Sequence, residues 1–67
     1  MSSVAKVIEI AASSDTSFED AVSNGIEKAS ESIKNITSAW VQDQRVKVKD
    51  GGVTKLRVVL KVTFVVK

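Results

Sequence analysis

The 67-residue sequence predicts an α+β fold of β-α-β-β order, in which a three-stranded antiparallel sheet wraps one amphipathic helix. Three observations predict it. A run rich in Val and Ile opens the chain, apolar residues at helical spacing follow, and two long alternating stretches close it. The sequence contains no repeat, linker or low-complexity tract, so we interpret residues 1–67 as a single domain.

The first strand is predicted at residues 5–12 (AKVIEIAA), where β-branched residues are frequent. Residues 13–17 (SSDTS) then have the composition of a turn followed by a helix N-cap. Two capping boxes fit the spacing: either Thr16 with Glu19, or Ser17 with Asp20. The sequence leaves both registers open.

The helix is predicted over residues 17–37, because apolar residues recur there at intervals of three or four. Glu19 and Asp20 near its start and Lys34 near its end complement the helix dipole. Gly25 lies inside this helix at a cost of about 1 kcal/mol relative to Ala, which indicates close packing against a neighbouring backbone. The predicted apolar stripe consists of Phe18, Val22, Ile26, Ala29, Ile33 and Ile36.

The second and third strands are predicted at residues 39–49 and 53–66, joined by a hairpin turn at residues 50–52 (DGG). Alternation places one set of third-strand residues on the core face and basic residues on the other. These strands are longer than the helix can cover, so part of the sheet is left for another subunit to bury. The core-facing set is Leu56, Val58, Leu60, Val62, Phe64 and Val66.

The composition limits how so short a chain is stabilised. A chain of this size buries about 60% of its unfolded surface, and small domains usually add disulfides, a structural metal or association. The sequence has no Cys and no His, which excludes disulfides and ordinary zinc sites. We therefore expect association with further copies of the same chain.

The start of the chain does not resemble a secretion signal, because Glu9 interrupts the apolar stretch and no charged leader precedes it. No stretch approaches the roughly 20 apolar residues that span a bilayer. From these features we expect a soluble, cytoplasmic protein with no membrane partner.

The net charge of +2 conceals an asymmetry. Residues 1–37 carry three basic and six acidic groups (net −3), and residues 38–67 carry seven basic and two acidic groups (net +5). This division predicts either head-to-tail contacts between subunits or an anionic ligand. The alternative is that basic side chains simply protect the strands from edge-to-edge pairing.

The side chains of the usual catalytic sites are absent. Without His or Cys there is no imidazole base and no thiol nucleophile, and the paired glycines lie in a hairpin rather than before a helix. We therefore expect that the protein is not an enzyme. Asp15, Asp43 and Asp50 lie in separate segments and match no calcium loop, so the sequence predicts no particular metal ligands.

The last two strands are basic, and Arg45 and Arg57 are among their cations. Sheets that bind single-stranded nucleic acid normally interleave aromatic residues, which are scarce here. Nucleic acid is therefore not an expected partner. Trp40, the single Trp of the chain, is interpreted either as a core or interface anchor or as a stacking platform for a flat ligand.

The order of elements, the chain length and four segments together resemble the dodecin family over nearly the whole chain. The resemblance implies a hollow homododecamer, in which each helix packs on its own curved sheet and which binds or stores a flavin of the riboflavin or FMN type. Where the family usually has Gly after the first strand, this chain has Ala12. The four segments are KVIEI (6–10), SSDTSFEDA (13–21), IEKASESIKNI (26–36) and LKVTF (60–64).

In flavin-binding dodecins a Trp at the start of the second strand sandwiches the flavin, and a Gln on the third strand bonds its pyrimidine edge. An alignment without gaps places Ser38 at that Trp position and Arg57 at that Gln position. Trp40 lies two residues further along the same face, about 6.6 Å from Ser38. A guanidinium donates hydrogen bonds only, whereas a Gln amide also accepts.

The candidate ligand-binding residues are therefore Ser38, Trp40, Arg45 and Arg57. Arg57 favours an anionic ligand, such as a phosphorylated flavin. Some dodecins with substitutions at the flavin positions are associated with calcium. The alternatives to flavin storage are accordingly a shell that binds calcium or another cation, or a shell with a purely structural role.

Overall fold

In a computed structural model, which describes residues 3–66, the chain forms β1 (Val4–Ser14), α1 (Phe18–Ser30), β2 (Ile36–Lys49) and β3 (Gly52–Val66). The strands make one antiparallel sheet with β3 in the centre, between β1 and β2. The predicted α+β fold and β-α-β-β order are confirmed. β1 extends beyond its predicted range at both ends, and β2 starts earlier than predicted.

The start of α1 is set by Ser17. This residue has extended backbone angles, and its hydroxyl accepts the backbone N–H of Asp20 at 3.0 Å, so Ser17 rather than Thr16 is the N-cap. The Asp20 carboxylate accepts the hydroxyl proton of Ser14 at 2.6 Å. Ser14 is buried and in turn accepts the backbone N–H of Thr16 at 2.9 Å. These bonds tie the end of β1 to the first turn of the helix.

The prediction for the end of the helix is wrong. α1 ends at Ser30 rather than at residue 37. The carbonyl oxygen of Ala29 accepts the N–H groups of Ser32 and Ile33 at 3.2 and 2.9 Å, which closes the last turn. Asn35, directly before β2, then adopts a φ of 66°, a left-handed conformation that Asn tolerates.

Ile33 and Ile36 therefore lie outside the helix, although their spacing continues its apolar stripe. Ile36 opens β2, pairs with Phe64 and packs against the core. Lys28, not Lys34, is the basic residue in the last helical turn. The spacing alone did not reveal the helix end, because both isoleucines are half-buried in the loop and strand that replace it.

The core lies between α1 and one face of the sheet. The predicted core face of β3 is confirmed at its centre, whereas Leu56 and Phe64 are half-buried and Val66 is 43% exposed. Half-buried apolar residues from β1, α1 and β2 surround the centre. The fully buried residues are Ala21, Val58, Leu60 and Val62.

The helix and sheet approach closely at Gly25. A Cβ added to this buried residue would lie 3.0 Å from the Cβ of Ala12 and 3.2 Å from a methyl group of Leu60. The close packing predicted for Gly25 is confirmed, and its neighbour is the small residue Ala12 on β1.

β2 and β3 are joined by a two-residue turn of Asp50 and Gly51, with φ angles of 53° and 79°. Two successive positive φ angles are typical of the type I′ turn that suits a hairpin. The predicted hairpin is confirmed, and Lys49 pairs with Gly52 across it. The β2–β3 ladder contains register shifts between Ile36 and Ser38, Val41 and Asp43, and Lys47 and Val48.

The helix covers only part of the sheet. A 13-residue helix is about 20 Å long, whereas a 15-residue strand reaches about 50 Å, and the chain measures 55 × 20 × 14 Å. β1 pairs with β3 no further than the Ser14–Leu56 pair. We call β1, α1 and residues 56–66 the packed half, and residues 47–55 the hairpin arm. Every residue of the hairpin arm is exposed.

Candidate functional site

The sheet face turned away from α1 carries all four candidate residues. Val58, Leu60 and Val62 point to the helix, so the residues that alternate with them point away from it. The pairing of β3 with β2 extends this assignment to both strands. We call this surface the open face. Its cross-strand pairs include Ser38 with Thr63, Trp40 with Lys61, and Arg45 with Arg57.

The open face is organised in rows that cross the three strands, with about 6.6 Å between neighbouring rows. Trp40 is one row from Ser38, as predicted, and two rows from Arg45 and Arg57. The four candidates thus share a face but do not converge within one chain. From β1 to β2, successive rows read Val7–Thr63–Ser38, Glu9–Lys61–Trp40, Ala11–Val59–Asp43 and Ser13–Arg57–Arg45.

The Trp40 row combines an aromatic ring with an ion pair. Trp40 is 52% exposed, so packing within the chain leaves much of the indole accessible. On the neighbouring strands, the ammonium of Lys61 lies 3.0 Å from a carboxylate oxygen of Glu9. Sequence reasoning did not assign Glu9 and Lys61 to the site. The signal that brings them beside Trp40 is the register of β3 with both of its neighbours.

The next charged row places two arginines, Arg45 and Arg57, directly opposite each other on neighbouring strands. Arg45 donates from Nε to the Asp43 carboxylate at 2.8 Å, and Arg57 donates from Nε to the Ser13 hydroxyl at 3.4 Å. Like charges directly opposite one another on a sheet are unfavourable. An anion between them offsets that repulsion, so this row is suited to a phosphate or carboxylate group.

A second like-charged pair, Lys47 opposite Lys55, lies on the hairpin arm. Lys55 is 3.9 Å from the Asp15 carboxylate, in an ion pair whose side chains are both largely exposed. The open face therefore becomes more basic from Trp40 toward the hairpin tip. This gradient attracts anionic ligands or the acidic surface of a neighbouring copy.

The aspartates considered as calcium ligands lie apart from one another. Asp43 contacts Arg45, Asp15 faces Lys55 and Asp50 occupies the hairpin turn. Within residues 3–66 we find no group of three side chains of the types that commonly bind metals. Asp15, Asp43 and Asp50 of one copy therefore do not form a shared site.

A shallow groove of about 580 Å³ lies between α1 and β1, lined by small and apolar residues that include Ala12, Gly25 and Ala29. None of the four candidates borders it. The exposed ring of Trp40 and the charged rows are the better ligand-binding features, because they combine a stacking surface with directional polar groups.

Over residues 3–66, the helix is neither long nor apolar enough to cross a membrane.

Comparison with known proteins decides the family. The family model for dodecins matches residues 4–67. The chain belongs to the dodecin family. Its β-α-β-β fold is the dodecin fold, and the resemblance drawn from the four sequence segments is confirmed. A search of curated proteins gave no match.

Solved dodecins superpose on this one closely. Dodecin from Streptomyces davaonensis is 27% identical, with a TM-score of 0.94 over 100% of this chain and 98% of that one. Dodecin from Streptomyces coelicolor is 26% identical, with a TM-score of 0.92 over 97% and 93%. The calcium-chelating antigen calcium dodecin from Mycobacterium tuberculosis is 34% identical, with a TM-score of 0.83 over 96% and 91%. As a dodecin, this chain is a small ligand-binding protein that assembles with copies of itself.

Proposed function

We propose that this dodecin is a non-enzymatic homododecamer that binds and stores a flavin on its open face. The observation that carries the proposal is the position of Trp40. It is 52% exposed and lies one row from Ser38, the position of the flavin-stacking Trp in the family. Trp40 provides the same kind of aromatic platform, displaced by about 6.6 Å along β2.

Assembly is supported by apolar surface that one chain leaves uncovered. Four valines of β2 and β3 are between 39% and 62% exposed. The basic arm and the more acidic β1–α1 segment are complementary, which favours contacts between different copies. Twelve copies of the 7.2 kDa chain give a particle of about 86 kDa. The valines are Val41, Val46, Val48 and Val53.

The paired arginines favour FMN over riboflavin. Arg45 and Arg57 lie about 13 Å along the sheet from the Trp40 row, a distance that the ribityl phosphate chain of FMN and a long arginine side chain can span together. The phosphate also offsets the repulsion between the two guanidinium groups. We therefore expect FMN to bind more tightly than riboflavin, and the difference to shrink as salt is added.

Quenching of flavin fluorescence tests the stacking role of Trp40. We expect riboflavin and FMN to be quenched by the wild-type protein, Trp40→Ala to weaken both about tenfold, and Trp40→Phe to lie between them. Sedimentation of each variant checks that it still assembles. Unchanged titration of Trp40→Ala would refute a site at Trp40, and loss of assembly would identify Trp40 as an interface anchor.

A second pair of variants tests the anionic preference. Arg57→Gln introduces at this position the residue that flavin-binding dodecins carry there. We expect it to reduce the preference for FMN over riboflavin, since it removes one of the two cations that face the phosphate. Arg45→Gln serves as the matched control. It removes the other cation of the pair, at a position that does not align with the family's Gln. An FMN preference that survives both substitutions excludes the arginines as its source.

Calcium is the second candidate, and the observation that favours it is the 34% identity with calcium dodecin. A calcium site here would combine carboxylates from neighbouring copies, because one copy offers no group of three within residues 3–66. Colourless protein whose melting temperature rises with calcium but not with magnesium or flavin supports this candidate. A melting temperature unaffected by calcium and flavin alike leaves a purely structural shell. The cytoplasmic location and the lack of nucleic-acid and membrane partners stay predictions from the sequence.

A further inference from the structure

The Glu9–Lys61 ion pair lies beside Trp40, but the proposed flavin site gives these two residues no role. Lys61 lies directly opposite Trp40 on one side and directly opposite Glu9 on the other. Its ammonium is 3.0 Å from the Glu9 carboxylate, and the Lys61 and Glu9 side chains are 30% and 54% exposed. A donor and an acceptor are therefore held side by side, in the row of the exposed indole.

We propose that Glu9 and Lys61 recognise the polar edge of a planar heteroaromatic ligand stacked on Trp40. This inference rests on the proposed function and assigns the groups that select its ligand. The ligand class is a ring system whose edge carries an N–H group flanked by carbonyl oxygens, as in a pyrimidine-dione. The carboxylate of Glu9 accepts the N–H, and the ammonium of Lys61 donates to a carbonyl oxygen.

The geometry favours this pair over Arg57. Opposite residues on neighbouring strands have Cβ atoms about 5 Å apart, so Lys61 adjoins Trp40 and Glu9 lies about 9.6 Å from it, two strand spacings away. A ring stacked on the indole and directed along the row reaches both groups. Arg57 lies two rows away and, as a guanidinium, accepts no hydrogen bond.

Both members of the pair keep unused hydrogen-bonding capacity. An ammonium has three donors and a carboxylate accepts from several directions, so one ion-pair contact at 3.0 Å leaves further donors and acceptors for a ligand. Because the Glu9 side chain is 54% exposed, its remaining oxygen lone pairs are accessible to a ligand. Exposed and half-exposed ion pairs contribute little to folding, so substitutions here report on binding.

The test compares riboflavin with N3-methylriboflavin, which lacks the ring N–H. We expect the wild-type protein to bind the methylated compound at least tenfold more weakly. Glu9→Met removes the acceptor and should reduce that ratio to about one, whereas Glu9→Gln keeps an acceptor oxygen and should retain part of it. Lys61→Met should weaken both compounds by a similar factor.

Asp15→Ala is the matched control. Among residues 3–66, it breaks the other carboxylate–lysine pair that involves β3, with Lys55 six residues from Lys61 along the strand, about 20 Å away. We expect the ratio of the two affinities to be unchanged in this variant. A lowered ratio in Asp15→Ala would overturn the inference, because the effect would then come from net charge and not from the edge of the ring.

The outcomes separate this inference from the proposed function. Riboflavin binding that depends on Trp40, with an equal affinity ratio in wild type and Glu9→Met, overturns the inference alone. Equal binding of the two compounds to the wild-type protein overturns it without any variant. No binding of riboflavin to the wild-type protein overturns the proposed function and this inference together.

Discussion

The packed half and the hairpin arm contain the same kinds of β-forming residues but bury them very differently. In the packed half, Val58, Leu60 and Val62 lie under α1 and are fully buried, whereas Val48 and Val53 of the hairpin arm are 62% and 59% exposed. Alternation along a strand selects a face, and burial then depends on what covers that face. The helix of the same chain does not cover the arm, because α1 is some 30 Å shorter than β3.

The two regions also differ in charge. The packed half sets Glu9 against Lys61 at 3.0 Å, whereas the arm sets Lys47 directly opposite Lys55. Like charges across a two-stranded ribbon oppose its closure, and such ribbons are marginally stable alone. We therefore expect the acidic or apolar surface of another copy to stabilise the arm, and its lysines to discourage unspecific edge pairing.

The largest effect is expected from Leu60→Ala. It leaves a cavity under α1 and should lower the free energy of unfolding by about 3 kcal/mol. Val53→Ala removes a similar side chain from the arm, and we expect it to shift association instead. Denaturant unfolding and sedimentation, both at several protein concentrations, separate the two outcomes. A stability loss from Val53→Ala that matches that of Leu60→Ala at every concentration would contradict the division into two regions.

The fold could be predicted largely because the strand signals are long and local. Val58, Leu60 and Val62 occupy every second position of a long run of β-forming residues, and the Gly51 turn follows directly from the sequence. The helix end could not be predicted, because spacings of three and four continue through Ile33 and Ile36. After Ser30 the N–H groups of Glu31 and Ser32 bond to carbonyl oxygens three residues back, and the left-handed Asn35 leads into β2. There Ile36 pairs with β3, and such pairing is a long-range event.

Gly25 provides the next largest effect. Gly25→Ala gains about 1 kcal/mol of helix propensity but introduces a Cβ 3.0 Å from that of Ala12, and we expect a net loss of about 1 kcal/mol. Ala12→Gly should relieve the contact, so the double variant should recover most of that loss. Thermal unfolding of all four proteins gives the coupling energy. Additive effects would mean that Ala12 and Gly25 do not press on each other.

The hairpin glycines offer a comparison that concerns the backbone alone. Gly51 has a φ of 79° and open space around its Cα, so Gly51→Ala should cost about 1 kcal/mol through conformation only. A Cβ at Gly52 meets an ordinary contact of 3.7 Å, and we expect Gly52→Ala to be neutral or slightly stabilising. Equal melting temperatures for the two variants would show that the arm adjusts its turn without cost.

The candidate site was partly predictable, since Ser38 and Trp40 share a face by simple alternation and Arg57 follows from alignment with the family. Glu9 was not, because its place beside Trp40 depends on the β1–β3 register, which pairs it with Lys61 across 52 residues of sequence. Local periodicity can be read from a single sequence. A row that crosses three strands depends on two long-range strand registers, which local periodicity does not give.

The smallest effects are expected from the ion pairs, and they extend the comparison between the two regions. Asp15→Asn breaks a 3.9 Å contact to Lys55 of the hairpin arm, with side chains 81% and 46% exposed, and should change stability by less than about 0.3 kcal/mol. Glu9→Gln breaks the 3.0 Å contact to the 30% exposed Lys61 in the packed half, and should cost about 0.5 kcal/mol. Thermal unfolding at low and high salt distinguishes the two ion pairs, because added salt weakens the less solvent-exposed pair less. A larger loss of stability from Asp15→Asn than from Glu9→Gln would mean that the assembly buries the Asp15–Lys55 pair more deeply than the Glu9–Lys61 pair.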